Sequence, residues 1–230
     1  MKNYDIFLFD VDGTLFDFDL AEATAFKSVF NQYGFRYSER ILTLYININD
    51  KLWKSFETGG ISIEEVKTRR FIQLFEEIDI ECDAHEFNDK YAAELGKYAF
   101  LLDGAQEVCE ALTSLGKLIY IVTNGITQVQ TARLNNSLIN NFISDCFISE
   151  LIGFQKPDVR FFDYVFKRIP QIGKDRVLMV GDSLTADIAG GTNANIDTCW
   201  FNGKKAENHT KIKPTYEIYK LNELIAGFLI

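Results

Sequence analysis

The sequence predicts an α/β fold, a Rossmann-like three-layer core with a parallel sheet, carrying an inserted all-helical domain. Short apolar runs recur along the chain with helical patterns between them. Strands that alternate with helices of this length favour right-handed crossovers and a parallel sheet. Between residues 19 and 98 the alternation stops and the periodicity is helical throughout. The insert therefore follows the first strand directly.

The predicted strands are short apolar segments that end in polar residues, which is the pattern of a strand buried on both faces. They span residues 4–11, 118–122, 145–149, 177–180 and 198–201. Helical patterns lie between them at residues 105–115, 127–135, 158–168 and 185–193. The segment 216–229 has room for one more strand and helix.

Apolar residues recur at helical spacing within the insert, and Gly34 and the Gly59-Gly60 pair mark turns between its helices. These apolar positions include Phe26, Phe30, Leu52, Trp53, Phe56, Val66, Phe71, Leu74 and Phe75. The expected domains are an α/β catalytic core of residues 1–16 and 99–230 and a helical cap domain of residues 17–98. We expect hinges near residues 16–19 and 98–103, because a cap must open for substrate and close against water.

Composition narrows the class of protein. The 230 residues carry a formal net charge of -9 and lack a basic stripe, which argues against a protein that binds nucleic-acid polymers. Twenty Phe and ten Tyr indicate aromatic packing in the core. No apolar run approaches the ~20 residues that span a bilayer, and acidic residues interrupt the first segment, so the expected location is cytoplasmic. The four cysteines form no C-x-x-C pair and are interpreted as buried free thiols.

Carboxylates follow the first predicted strand. In open parallel sheets ligands bind at the carboxyl ends of the strands, and here that end carries Asp10 and Asp12. Residues i and i+2 of an extended chain point to the same side, so both carboxylates can face one site. Gly13, next to Thr14, permits a tight turn. Further polar residues lie at the ends of two later strands, Thr123 and Asn124 after one and Asp182 and Ser183 after the other. Asp187 lies one turn into the following helix, and Lys156 lies in the loop before the helix that precedes the second of these strands.

The chemistry of this set points to phosphoryl transfer. Carboxylates gathered at one point repel one another and need a cation, and hard oxygen ligands select Mg²⁺. Asp10 can attack phosphorus to form an aspartyl phosphate. Asp12 can protonate the leaving oxygen and then deprotonate a water. Lys156 and the Thr123 hydroxyl would hold the phosphoryl oxygens, where negative charge accumulates during transfer.

These residues resemble the motifs of the haloacid dehalogenase (HAD) superfamily, whose phosphatases use an aspartate nucleophile. Four stretches carry the resemblance in chain order: Asp10-Val11-Asp12-Gly13-Thr14-Leu15, Ile121-Val122-Thr123, Lys156-Pro157, and Gly181-Asp182-Ser183 through Asp187. The resemblance implies Mg²⁺ bound by the Asp10 carboxylate, the Asp12 backbone carbonyl and the Asp182 carboxylate. Ser183 and Asp187 would support the site, Asp187 through water or by orienting Lys156. The candidate phosphate-binding residues are Gly13, Thr14, Thr123, Asn124 and Lys156.

Segments 48–53, 57–61, 69–71 and 197–202 are similar to the branch of pyrimidine-nucleotide 5'-nucleotidases. The favoured substrate is therefore a nucleoside 5'-monophosphate of nucleotide metabolism. Trp53 and Phe71 are interpreted as core residues, Arg70 as a solvated side chain that could reach a substrate, and Phe16 and Phe18 equally as hinge packing or substrate contacts.

Alternatives remain open at this point. A phosphatase acting on a sugar phosphate or phosphoglycolate, or a phosphomutase, would use the same core. Asp12 argues against dehalogenation, since dehalogenating members lack this second aspartate. A catalytically silent regulatory protein should have lost at least one of the residues on which the reaction depends. These are Asp10, Asp12, Lys156 and Asp182, and all four are present.

Overall fold

The computed structural model describes residues 2–228, and the chain forms two compact units. The α/β unit comprises the chain up to Phe18, Phe100–Thr127 and the chain from Ser137 onward, whereas the helical unit comprises Asp19–Ala99 and Gln128–Asn136. The second piece of the helical unit lies in a helix that sequence reasoning assigned to the core. Its Arg133 Nε donates a hydrogen bond of 2.9 Å to the carbonyl of Tyr98.

A six-stranded, wholly parallel sheet forms the α/β unit, with the order β3-β2-β1-β4-β5-β6. The strands are β1 Ile6–Phe9, β2 Leu118–Thr123, β3 Ile143–Ile148, β4 Val177–Gly181, β5 Asp197–Phe201 and β6 Tyr216–Ile218. In register, Phe9 lies beside Ile121 on one neighbour and Val180 on the other. The ends of β1, β2 and β4 therefore meet at one edge of the sheet, and the predicted fold class is confirmed.

The helices between and after these strands are α5 Ala105–Ser114, α6 Thr127–Asn135, α7 Ser149–Ile152, α8 Val159–Phe166, α9 Ala189–Asn193 and α10 Asn222–Phe228. All but one of the residues of α6 belong to the helical unit. Short 3₁₀ turns at Asn140–Phe142 and Lys174–Arg176 and a π turn at Leu184–Ile188 complete the unit. The last predicted segment, 216–229, forms β6 and α10, and Leu229 lies outside the described residues.

Alternate residues of the central strands form one side of the core, as the two-residue period of a strand requires. Ile6 and Leu8 of β1 belong to the same buried cluster as Phe161, Phe162 and Val165 of α8. Each such side chain contributes about 1.5–3 kcal/mol when fully buried. This packing holds the sheet, and hence the edge where β1, β2 and β4 end, in a fixed position.

The helical unit contains α1 Phe18–Gln32, α2 Glu39–Glu57, α3 Ile63–Glu77 and α4 Ala84–Leu95. Its core is a chain of aromatic rings. Phe71, fully buried as predicted for a core residue, has its ring centroid 5.3 Å from Tyr45 and 4.8 Å from Phe87. At the start of α3, the Ser62 hydroxyl accepts from the Glu65 amide while the Glu65 carboxylate accepts from the Ser62 amide, a capping box that fixes where this helix begins.

Arg70 corrects a sequence-based interpretation. It is 2% exposed rather than solvated, because it shares the buried face of α3 with the aromatic residues. Its Nη2 donates to Asn88 Oδ1 at 2.7 Å, and its guanidinium carbon lies 4.9 Å from the centroid of the Tyr91 ring. The preceding residue, Arg69, is an arginine that lies on the surface. Residue type alone could not tell which of the two adjacent arginines is buried.

Within residues 2–228, none of the helices combines the length and the apolar character needed to cross a lipid bilayer.

Glu22 of α1 is buried beside this arginine. Its Oε1 accepts a hydrogen bond of 2.9 Å from Asn49 Nδ2. Burial raises the pKa of Glu22 to about 8, the Arg70 charge opposes that rise, and the carboxylates of Asp50 and Asp19 add to it. The folded chain therefore binds a proton at Glu22 that the unfolded chain, with a pKa near its ordinary value, releases.

A pH dependence of stability follows for Glu22. Because its pKa is higher in the folded state, the free energy of unfolding should fall as the pH rises from about 4.5 to 8, by up to about 1.4 kcal/mol per pH unit, and level off above that. Urea unfolding between pH 5 and 9 measures this slope. Glu22→Gln should flatten it, whereas the exposed control Glu77→Gln should not. Parallel profiles for wild type and Glu22→Gln would contradict the assignment.

Candidate active site at the carboxyl edge of the sheet

The loop after β1 places the first pair of aspartates. The amide of Asp10 donates to the carbonyl of Val180 at 2.9 Å, so the residue still lies in the sheet. The chain then turns at Gly13, which has a φ of 77°. A Cβ on Gly13 would stand 2.5 Å from Oδ2 of Asp182. The glycine is needed for two reasons, its left-handed backbone and the close approach of the Asp182 carboxylate.

Lys156 is the centre of the site. Its ammonium group donates three hydrogen bonds, to Asp10 Oδ1 at 2.7 Å, to Asp187 Oδ1 at 2.6 Å and to the carbonyl of Val122 at 2.7 Å. An ammonium group has three donors, so all three are used. The residue is 1% exposed. A buried charge of this kind is tolerated only because it is paired and fully hydrogen-bonded.

Asn124 fixes the backbone of Lys156. Its Oδ1 accepts from the Lys156 amide at 2.8 Å, and its Nδ2 donates to the Lys156 carbonyl at 2.9 Å. The side chain thus joins the end of β2 to the loop before α8. The sequence places Asn124 among the phosphate-binding residues through the backbone N–H groups of its segment, which stays a prediction; its amide side chain holds the lysine loop.

Asp187 is held from two directions. Besides accepting from Lys156, it accepts through Oδ2 from the amide of Ser183 at 3.0 Å. The Ser183 hydroxyl accepts from the amide of Ala186 at 3.1 Å and so begins the π turn. A Cβ on Gly181 would lie 2.2 Å from Asp187 Oδ2, so the glycine leaves room for this carboxylate. Asp187 therefore orients Lys156 directly, one of the two routes the resemblance left open.

Trp200 positions the loop of Asp182. Its indole Nε1 donates to the carbonyl of Asp182 at 2.8 Å, and the ring is buried on β5. The adjacent strand register, Gly181 beside Trp200, makes this bond possible. Sequence reasoning included Trp200 only within a family-like segment and gave it no part in the site. The signal available in the sequence was an indole on the strand that follows the one ending in Asp182, where it could donate to the Asp182 loop.

The remaining predicted residues surround this centre. The Thr123 hydroxyl, 2% exposed, accepts from the amide of Gly125 at 3.0 Å. Thr14 is fully buried, and across the described part of the chain its hydroxyl has no hydrogen-bond partner. Asp12 is half-buried. Phe16 is fully buried and pairs with Leu101 in a short backbone bridge. Of the two roles expected for Phe16, hinge packing or substrate contact, this burial favours packing.

The electrostatics of the site are dominated by burial and excess negative charge. Burial raises the pKa of Asp10, the Lys156 charge opposes this, and the carboxylates of Asp187, Asp182 and Asp12 reinforce it. Desolvation of the carboxyl group and then the charge of Asp187 raise the pKa of Asp182, and because Asp182 is an exposed residue, solvent screens both effects and limits the rise. Burial lowers the pKa of Lys156, but Asp10 and Asp187 outweigh it and the net direction is upward.

The donor set fits a divalent cation. Ligand atoms of Asp10, Asp182 and Asp187 lie within 4.8 Å of one another. Three carboxylates face one lysine, so the cluster carries excess negative charge that one divalent ion would balance. Carboxylate oxygens are the ligands that Mg²⁺ prefers. Since both oxygens of Asp187 are already bonded to Lys156 and Ser183, Asp10 and Asp182 are the carboxylates better placed to bind it.

Comparison with known proteins agrees with this geometry. The family model of haloacid dehalogenase-like hydrolases matches residues 7–201. The HAD-hydrolase YfnB of Bacillus subtilis is 43% identical over 224 residues, covering 97% of this chain and 95% of the relative. Its crystal structure, described as bound to magnesium and as revealing interdomain movement, aligns over all of both chains with a TM-score of 0.92.

Two further relatives are named for an activity. The pyrimidine 5'-nucleotidase PynA of Streptococcus pneumoniae is 39% identical over 96% of this chain and 94% of the relative. The pyrimidine 5'-nucleotidase YjjG of Escherichia coli is 31% identical over 96% of both chains. The predicted enzyme class, a phosphoric monoester hydrolase, agrees with the family and with both relatives. The parallel sheet, the carboxylates gathered around one lysine and these matches together show that the chain belongs to the haloacid dehalogenase-like hydrolases.

Proposed function

We propose that the chain is a Mg²⁺-dependent phosphatase that hydrolyses small phosphate monoesters through an aspartyl-phosphate intermediate, with pyrimidine nucleoside 5'-monophosphates favoured. The observation that carries the proposal is the bonding of one Lys156 ammonium to both Asp10 and Asp187 at 2.7 and 2.6 Å. This pairing holds the Asp10 carboxylate at the edge of the sheet. A small phosphorylated metabolite is the partner that such a site suits.

In the first step, a carboxylate oxygen of Asp10 attacks phosphorus and the bond from phosphorus to the ester oxygen breaks. Oδ1 of Asp10 is engaged by Lys156, so Oδ2 is the oxygen better placed to act as nucleophile. Asp12 gives its proton to the departing oxygen, which leaves as an alcohol. The turn at Gly13 keeps both aspartates on one short segment, so nucleophile and acid are positioned together.

In the second step, a water attacks the phosphorus of the aspartyl phosphate. Asp12, now ionised, takes the proton of that water, and the bond between phosphorus and the Asp10 oxygen breaks to release inorganic phosphate. Lys156 stays near the reacting group throughout and offsets negative charge there. The Thr123 and Thr14 hydroxyls are proposed to donate to phosphoryl oxygens.

Asp10, Asp182 and the Asp12 carbonyl are proposed to hold Mg²⁺. When bound, the cation would stabilise negative charge on the transferring phosphoryl group. It would also favour the ionised form of Asp10, whose pKa burial raises.

The substrate class rests on the relatives. Two proteins that match nearly the whole chain are named pyrimidine 5'-nucleotidases. Pyrimidine nucleoside monophosphates are thus favoured over sugar phosphates or phosphoglycolate.

Phosphate release from a panel of substrates with Mg²⁺ tests the proposal. We expect kcat/KM for uridine, thymidine and cytidine 5'-monophosphates to exceed that for ribose 5-phosphate and phosphoglycolate by tenfold or more, about 1.4 kcal/mol of transition-state stabilisation. Comparable rates on the sugar phosphates with none on nucleotides would reject the nucleotidase assignment and keep the phosphatase. Conversion of a sugar phosphate to its isomer without phosphate release would indicate a mutase.

Substitution of the nucleophile tests the mechanism. Asp10→Asn keeps the shape of the side chain and a possible acceptor for Lys156, but a neutral amide cannot form the aspartyl phosphate. We expect kcat to fall at least about a thousandfold, with cooperative urea unfolding retained because Asp187 and the Val122 carbonyl still accept from Lys156. Asp163→Asn, an exposed change on α8, is the matched control and should leave both measurements unchanged. Wild-type turnover by Asp10→Asn would refute the covalent route.

Removal of metal tests the cation site. Treatment with EDTA should lower kcat/KM at least tenfold, and added Mg²⁺ should restore it, because the excess carboxylate charge is otherwise unbalanced. Asp182→Asn should weaken Mg²⁺ binding measured by calorimetry, a readout that does not depend on turnover. Asp163→Asn should bind Mg²⁺ as wild type does. Full activity in EDTA would remove Mg²⁺ from the proposal.

A further inference from the structure

Two neighbouring segments at the carboxyl edge of the sheet carry groups of the proposed reaction. The threonine segment, residues 123–127, runs from the end of β2 to the start of α6 and contains Thr123. The lysine segment, residues 149–157, follows β3 and contains Lys156. Because β2 and β3 are adjacent, with Thr123 beside Ile148 in register, the two segments leave the sheet side by side. The bonds between them therefore decide where the Thr123 hydroxyl and the Lys156 ammonium lie.

Asn124 fastens one end of this pair of segments. Its side chain bonds both the amide and the carbonyl of Lys156, at 2.8 and 2.9 Å. The carbonyl of Val122, the residue before the threonine segment, accepts from the Lys156 ammonium at 2.7 Å. These bonds hold the lysine close to the end of β2, but they do not reach the part of the threonine segment that enters α6.

Glu150 fastens the other end. Its Oε2 accepts a hydrogen bond of 2.7 Å from the amide of Thr127, 23 residues earlier in the chain. Thr127 is the first residue of α6, and the first amides of a helix have no acceptor within the helix itself. A carboxylate at this position also meets the positive end of the helix dipole. Glu150 thus fixes the point at which α6 begins.

Each end of the bond between Glu150 and α6 is close in sequence to a group of the reaction. Within the threonine segment, the Gly125 amide donates to the Thr123 hydroxyl at 3.0 Å, so the turn that leads to α6 is compact. Within the lysine segment, α7 ends at Gly153, which has a φ of 83° and donates through its amide to the Ser149 carbonyl at 2.8 Å. A displacement of α6 or α7 would therefore be passed to the reacting groups over a few residues.

A second glutamate with the same chemistry lies elsewhere in the α/β unit. Glu223 Oε1 accepts from the amides of Tyr219 and Lys220 at 2.9 and 2.8 Å, at the start of α10. Glu223 and Glu150 are both half-buried. The strand before Glu223 is β6, an edge strand separated from β2 by β1, β4 and β5, and it carries no residue of the proposed reaction. Of the two glutamates, only Glu150 connects two segments of the site.

We propose that Glu150 is a positioning residue for phosphoryl transfer, because its bond to Thr127 holds the threonine segment against the lysine segment. Thr123 and Lys156 then direct their donors at the same phosphoryl group. Glu150 does not touch the substrate in this proposal, and the inference rests on the proposed function for the reaction that Glu150 serves. Preorganised donors matter most where negative charge grows in the transition state, so misplacing them should lower kcat more than it weakens substrate binding.

Hydrolysis of p-nitrophenyl phosphate with Mg²⁺ tests the inference without depending on a nucleotide base. Glu150→Ala should lower kcat at least tenfold and leave KM within threefold of wild type. Glu150→Gln keeps an oxygen that can accept from Thr127, so its kcat should stay within threefold of wild type. Glu223→Ala, the matched control, should equal wild type in both constants. An unchanged kcat in Glu150→Ala, or an equal loss in Glu150→Gln, would overturn the inference.

Amide hydrogen exchange followed by NMR gives a readout that does not depend on turnover. In Glu150→Ala the amides of Gly125 and Lys156 should exchange at least tenfold faster than in wild type, whereas the amides of β4 should keep their protection and show that the sheet is intact. Glu150→Gln and Glu223→Ala should leave the Gly125 and Lys156 amides as protected as in wild type. Unchanged exchange of both amides in Glu150→Ala would contradict the inference.

The two measurements separate this inference from the proposed function. If wild type releases no phosphate from any ester while the exchange pattern is as expected, the proposed reaction is rejected and Glu150 keeps only the role of joining the two segments. If wild type is active and Glu150→Ala exchanges faster with an unchanged kcat, the phosphatase stands and the positioning role is rejected.

Discussion

The bonding of the Lys156 ammonium to two carboxylates and a carbonyl is the constraint on which the α/β unit depends. A buried ammonium group is costly unless each donor finds an acceptor, and here Asp10, Asp187 and the Val122 carbonyl supply the three. These acceptors come from the ends of β1 and β2 and from the π turn after β4. The Lys156 ammonium has all three partners only where these three segments meet, so the contacts that build the site also hold this edge of the sheet together.

Close approach of backbone to carboxylate is the second requirement. A Cβ on Gly13 would fall on the Asp182 carboxylate, and a Cβ on Gly181 would fall on that of Asp187. Any larger residue would push an aspartate out of the cluster. The two glycines serve the site chiefly by leaving space, and they explain why the carboxylates can converge on one lysine.

Much of this could be predicted from the sequence, because strand ends are visible as polar residues that follow apolar runs. Asp10 and Asp182 were found in this way, whereas Lys156 came from a loop before a predicted helix and Asp187 from one turn into another helix. The parts that were missed depend on atoms that residue type does not specify. The Val122 carbonyl is backbone, the hydrogen bonds of Asn124 to Lys156 form across 32 residues, and the burial of Arg70 follows from which face of α3 packs inward.

The two buried polar groups of this chain differ in a way that bears on their roles. Around Lys156 the ammonium has all its partners within the protein, so that part of the site is organised before any ligand arrives, as electrostatic stabilisation of a transition state requires. Around Arg70 the guanidinium donates to the neutral amide of Asn88 at 2.7 Å and lies beside the Tyr91 ring, so that group holds α3 and α4 together. A centre that carries out the reaction benefits from charges that are already in place, because they then need no rearrangement while the substrate reacts.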